Sequence, residues 1–282
     1  MGTSIPPLFE YNTRESAATL HIAHANGFPP EVYQEMVEPL MGEYHVVALP
    51  ARPLWELPPP PEDFTGWQVM ADDLIAGIEA YQLGPVIGIG HSMGGTASLI
   101  ASTKRPDLFR ALVLLDPVLF PTSTIDIFIR HPHLEFPLVQ GALRRRREWE
   151  SREAAFERFN GRGLFKNWSE AAVWAYVDGL THSSDNGSIE LRYSPEWEAR
   201  IYQTAPLSTN GWWDWLKTVR IPILTIQGKD TDTFVDDSVV LWEQTRPDLE
   251  VIRIPEVGHL FPMEVPQQVA GYVQTFLGAI LD

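Results

Sequence analysis

One short stretch limits the fold more than any other. Residues 85–90, with Val86, Ile87 and Ile89, run directly into Gly90-His91-Ser92-Met93-Gly94-Gly95, and a helical pattern follows over Met93–Lys104. An apolar run that turns through glycines straight into a helix begins a βα unit, and βα units build parallel sheets. The rest of the chain repeats that alternation. Thr19–Ala23, 45–49 and 111–115 read as strands, separated by helices near 30–41 and 67–81. The unbroken Leu112-Val113-Leu114-Leu115 suits a strand covered on both faces. Strands return at 223–227 and 250–254, with helices at 236–246 and Pro266–Leu281. Pro266 fits a first helical turn, where its missing N–H costs nothing.

The middle reads differently. Over 121–205 the strand signal vanishes, and Trp149, Phe156, Phe159, Phe165, Trp168, Trp174 and Tyr176 recur at roughly helical spacing. This predicts an α/β core built from 1–120 and 206–282, carrying a helical cap inserted over 121–205. The four arginines 144–147 read as a solvated helix face pairing with Glu148, Glu150 and Glu153. Proline-rich 57–61 reads as an extended surface loop.

Composition removes several classes of function. A formal charge of −16 argues against nucleic acid and anionic membrane as partners. The absence of cysteine excludes a disulfide framework, a thiol nucleophile and thiolate metal ligands. No apolar run approaches the ~20 residues of a membrane helix. Neither the first ten residues nor 279–282 carry a targeting signal, so a cytoplasmic location is expected.

The turn around Ser92 carries the chemistry. In Gly-x-Ser-x-Gly between strand and helix, glycines on either side make room for a serine on a strained backbone, and its hydroxyl is pushed out of the sheet. The following helix points its N-terminus at developing negative charge. A serine hydroxyl needs a base. His259, in a loop between the last strand and the last helix, stands where parallel sheets present their chemistry. The carboxylate that orients such a base has three candidates: Asp230 and Asp232 after strand 223–227, and Asp116 after strand 111–115, which reads as an Asx-type turn before Pro117. An oxyanion needs two N–H donors. The residue after the nucleophile, Met93, supplies one, and the loop His24-Ala25-Asn26-Gly27-Phe28-Pro29 supplies the other, assigned to Asn26. No metal or dinucleotide motif is present, and no cofactor is expected.

With these residues in view, the chain resembles the α/β-hydrolase superfamily, in its serine-nucleophile branch with a helical cap. The resemblance rests on His24-Ala25-Asn26-Gly27-Phe28, Gly90-His91-Ser92-Met93-Gly94-Gly95, Gly228-Lys229-Asp230-Thr231-Asp232 and the run Gly258-His259-Leu260-Phe261-Pro262-Met263-Glu264-Val265-Pro266. It implies a mostly parallel sheet flanked by helices, Ser92 as nucleophile, His259 as base and Asp232 as acid, because Asp232 precedes Thr233-Phe234-Val235 as the family acid precedes a similar run. Phe28 is expected to touch a small-molecule substrate. The family often has His-Gly where this chain has His24-Ala25. Where relatives carry Asp-x-Arg-Gly-x-Gly, this chain has Leu49-Pro50-Ala51-Arg52-Pro53, so that loop should take a different shape. The implied reaction is esterase- or lipase-like cleavage of a carboxylic ester or related acyl bond. C–C bond hydrolysis by the same side chains and an inactive binding protein are the other readings.

Overall fold

The structure is a computed structural model and describes residues 5–14, 17–131, 133–134, 137–184, 187–208 and 211–281. The extreme ends, on which the targeting expectations partly rest, lie outside the described residues. Ten strands are present among them: β1 (Phe9–Glu10), β2 (Thr19–Ala23), β3 (His45–Ala48), β4 (Val86–His91), β5 (Phe109–Leu115), β6 (Glu148–Trp149), β7 (Thr181–Ser183), β8 (Ile189–Leu191), β9 (Ile223–Gly228) and β10 (Val251–Ile254). Seven of them form one sheet in the order β1-β3-β2-β4-β5-β9-β10. All neighbours are parallel except β1, which closes the edge antiparallel to β3.

The centre of that sheet is dry. Every residue of β4 and β9 is buried, and so is all of β5 except Arg110. This is why these strands read as unbroken apolar runs instead of alternating ones. The helix Trp67–Ala80 packs its Trp67, Met70, Leu74 and Ile78 stripe on the core at intervals of three and four residues. The helix Met93–Lys104 is buried along ten of its residues. The three fully buried tryptophans, Trp67, Trp212 and Trp242, are the largest side chains of the interior.

Between β5 and β9 the chain departs from the expected all-helical insertion. Helices Thr122–Arg130, Pro137–Leu143, Arg152–Phe159, Glu170–Leu180 and Pro195–Ser208 are accompanied by a small antiparallel sheet in the order β6-β8-β7. Its strands are two or three residues long, too short to leave a period of two in the sequence. Phe156 stacks on Trp174 at 4.3 Å, and Phe165 meets Trp168 and Tyr176 at 4.9 and 4.7 Å, so the aromatics there bind the helices to one another.

The arginine run also differs from expectation. Residues 145–147 lie in extended chain leading into β6, not on a helix. Arg145 is half-buried, pairs with Glu198 and donates to the Tyr176 hydroxyl at 2.7 Å, and Arg147 pairs with Glu196 at 3.0 Å. Arg52, in the loop that lacks the family glycines, grips Asp73 through two bonds of 2.7 and 2.9 Å. No helix among the described residues is long and apolar enough to cross a membrane.

Candidate active site

The C-terminal ends of the parallel strands converge on Ser92. Its backbone has φ 57° and ψ −122°, outside the regions L-residues favour. Such a conformation costs roughly 1–3 kcal/mol and persists only where the surroundings enforce it. Here they do. Ser92 N–H donates to Leu115 O at 2.9 Å, tying the turn to the neighbouring strand. A Cβ on Gly94 would fall 2.0 Å from Ala23 O, and one on Gly90 would fall 2.5 Å from Gly95 Cα. Only glycines permit this helix to start so close to the sheet. Because the helix begins at Met93, its first N–H groups have no intrahelical acceptor.

His259 arrives on the loop after β10. Its Nε2 stands 2.9 Å from Ser92 Oγ, in place to accept the hydroxyl proton. Its Nδ1 donates to a carboxylate at 2.6 Å, and that carboxylate belongs to Asp116. Among the described residues no hydrogen bond or ion pair joins the imidazole to the expected acid, Asp232, or to Asp230, both of which are exposed. This corrects the sequence assignment.

The physical reason is strand adjacency. β5 pairs with β4 so that Leu115 lies beside His91, which puts the next residue of each strand, Asp116 and Ser92, side by side. Asp232 stands four residues beyond the end of β9, and the intervening turn is fastened elsewhere, with Asp230 N–H bonded to Val257 O at 2.9 Å. Asp116 has φ 47°, a left-handed conformation that aspartate tolerates better than most residues. Its carboxylate is fully buried and fully occupied: Oδ1 accepts from Gly228 N–H at 3.3 Å, and Oδ2 from Thr231 Oγ1 at 2.5 Å as well as from His259. It does not cap its own turn. Thr231, in the loop expected to supply the acid, donates its hydroxyl to Asp116 instead.

Two further side chains tie the site together. Tyr33 hydroxyl accepts from Ala25 N–H at 3.0 Å and donates to His91 Nδ1 at 2.8 Å, and His91 Nε2 donates to His259 O at 2.9 Å. Burial pushes the His91 pKa well below the ordinary histidine value, so the ring is neutral and the donor directions are those given. The loop 24–29, the residue before Ser92 and the loop that carries His259 are thereby joined through two buried rings. Neither Tyr33 nor the bridging role of His91 leaves a motif; only the apolar neighbourhood of Tyr33 hinted that its hydroxyl needs a partner.

Asn26 lies on the same wall. Its side chain is committed, with Nδ2 donating to Glu198 O at 3.0 Å and Oδ1 accepting from Tyr193 hydroxyl at 2.7 Å, so only its main-chain N–H could serve an oxyanion.

Ser92 and His259 open into a cavity of about 380 Å³ whose wall includes Asn26, Phe28, Trp67, Met93, Val118, Phe120, Leu138, Leu164, Tyr202 and Asp232. The structure therefore brings together Ser92, His259, Met93, Asn26 and Phe28. It adds Asp116 and places Asp232 on the cavity wall. Among the described residues no cluster of three or more His, Asp or Glu has a metal-binding arrangement. The arrangement of a polarised hydroxyl, an oriented imidazole, a buried anion and unpaired N–H groups suits attack on an electrophilic carbonyl.

The profile of the alpha/beta hydrolase family matches residues 22–272. The abhydrolase domain-containing protein AKT2 of Alternaria alternata is 25% identical over 234 residues, spanning 68% of this chain and 83% of that protein. Among solved structures, E-2-(acetamidomethylene)succinate hydrolase superposes with a TM-score of 0.77 at 20% identity, covering 96% of this chain and 94% of that one. A marine microorganism esterase superposes with a TM-score of 0.71 at 20% identity, covering 96% of this chain and all of the other.

Proposed function

The chain belongs to the alpha/beta hydrolase family, and from that premise we propose that it is a serine hydrolase cleaving a carboxylic ester or related acyl bond through Ser92, His259 and Asp116. The observation that carries this reading is the continuous chain from Ser92 Oγ to His259 Nε2 at 2.9 Å and from His259 Nδ1 to Asp116 at 2.6 Å. A substrate enters the cavity beneath the cap formed by 121–205. Ser92 Oγ attacks the acyl carbon while His259 Nε2 takes its proton, and Asp116 stabilises the resulting imidazolium. The N–H groups of Met93 and Asn26 receive the oxyanion. His259 then returns the proton to the leaving group, and a water activated by the same imidazole releases the acid and regenerates Ser92. No cofactor is needed for this sequence.

The test is active-site labelling combined with turnover. The wild-type protein should hydrolyse short p-nitrophenyl esters and take up one fluorophosphonate group at Ser92. Ser92→Ala should fold, fail to label and lose several orders of magnitude in kcat. Esterase activity retained by Ser92→Ala would overturn the nucleophile assignment. A wild-type protein that neither labels nor turns over any acyl substrate would favour a binding role. Cleavage of a vinylogous diketone in preference to every ester would move the reaction to a C–C bond.

A further inference from the structure

Asp232 is left without a task once Asp116 holds the imidazole. It lies on the cavity wall with Ser92 and His259, and it is exposed. Among the described residues its side chain has one hydrogen bond, accepted from the neighbouring Thr233 Oγ1 at 3.3 Å. No ion pair reaches it among the described residues. The nearest cation along the chain, Lys229, is committed to Asp236 at 2.7 and 2.8 Å.

The rest of the wall is equally informative. Among the described residues no lysine or arginine lines the cavity, and its faces include the rings of Phe28, Trp67, Phe120 and Tyr202. An anionic substrate group entering this space would lose water, meet a carboxylate and find no counter-charge. An alkylammonium group would meet an anion and aromatic faces, the combination that stabilises such cations. The formal charge of −16 adds attraction at longer range.

We propose that Asp232 is the charge-selecting residue of this pocket, making the enzyme prefer acyl substrates that bear an ammonium group over neutral ones and reject those that bear a carboxylate. The inference rests on the serine-hydrolase reading and adds the substrate class to it. An opposite charge about 6–8 Å away at a partly solvated boundary is worth roughly a three- to tenfold preference, and added salt should reduce it.

The experiment compares butyrylcholine with its uncharged carbon isostere 3,3-dimethylbutyl butyrate, and with a butyl hemisuccinate, in wild type and Asp232→Asn. The wild-type ratio of kcat/KM for cation over isostere should exceed one by roughly three- to tenfold, and should fall toward one in Asp232→Asn and at high salt. The hemisuccinate should be the slowest substrate, with its deficit narrowed in Asp232→Asn. Protection of Ser92 from a fluorophosphonate by phenyltrimethylammonium gives a readout without turnover, and the half-protecting concentration should rise in the variant. A wild-type ratio at or below one, or a ratio and protection unchanged by Asp232→Asn, would overturn the proposal. If the neutral isostere is still cleaved through Ser92, the reaction assignment survives that result. Absence of Ser92-dependent cleavage of all three esters and of labelling would instead remove both.

Discussion

Ser92 and Asp116 hold the two left-handed backbone positions on which the site depends, and neither is glycine. Each is enforced by its neighbours: Ser92 by its bond to Leu115 O, and Asp116 by its N–H bond to Ile226 O at 2.8 Å. The room they need is provided elsewhere, most sharply at Gly94, where a Cβ would lie 2.0 Å from a main-chain oxygen of β2. Backbone cannot yield as a flexible side chain would, so Gly94→Ala must push the helix from the sheet. Such overpacking should destabilise the protein by about 3 kcal/mol or more. It should also move Met93 N–H and Ser92 Oγ away from productive positions. Urea unfolding checks the first effect and ester turnover at low temperature, where the variant is still folded, checks the second. A loss of less than about 1 kcal/mol with full activity would show that the contact is not as rigid as described.

At the scale of elements, the ordering of strands explains what could and could not be read from the sequence. Continuous burial made β4, β5 and β9 visible as apolar runs, and the helices Met93–Lys104 and Pro266–Leu281 have the bounds that periodicity and the N1 proline predict. The helix expected at 30–41 is instead broken into 3₁₀ turns and one short α-helical turn, with Pro39 removing a backbone donor inside it. β1 and the β6-β8-β7 sheet were not legible, because two or three residues carry no period. The meeting of Ser92 with His259 was legible because each sits in a distinctive local context beyond a strand end. The carboxylate that bonds His259 was not. Asp116 and Asp232 both follow strands and both satisfy the order serine, aspartate, histidine, so the choice depends on which strand end lies beside the nucleophile. That is a fact of pairing, and pairing between β4 and β5 is set by tertiary packing that no local pattern records.

At the scale of the whole molecule, three buried histidines, His21, His24 and His91, together give the protein a pH dependence. Burial lowers the His21 pKa to about 3 and that of His24 to about 4, and lowers that of His91 well below its ordinary value. His24 and His91 have hydrogen-bond partners for both ring nitrogens, and His21 has none among the described residues. Each ring is neutral when folded but takes a proton when unfolded once the pH drops below about 6.5. The unfolded state then binds more protons, so stability is full above that value and declines as the pH falls toward 4, by up to ~1.4 kcal/mol per pH unit for each histidine. Burial raises the carboxyls of Glu31 and Asp73, which act in the opposite sense closer to the carboxylate range. Comparing unfolding free energies at about pH 7 and about pH 5.5 therefore isolates the histidines, and a marked loss is expected at the lower value. Equal stability at the two would mean that these rings are not held neutral.

The central claim is that Asp116, not the later aspartates, orients the base. Asp116→Asn keeps the shape of the side chain but removes the anion that stabilises the imidazolium, and steady-state kinetics on a neutral p-nitrophenyl ester measures the consequence. The expected result is a fall in kcat of roughly a thousand- to ten-thousandfold with KM little changed in a protein that still melts cooperatively. The exposed Asp230→Asn serves as the reference and should remain near wild type. An Asp116→Asn enzyme within tenfold of wild type would contradict the account.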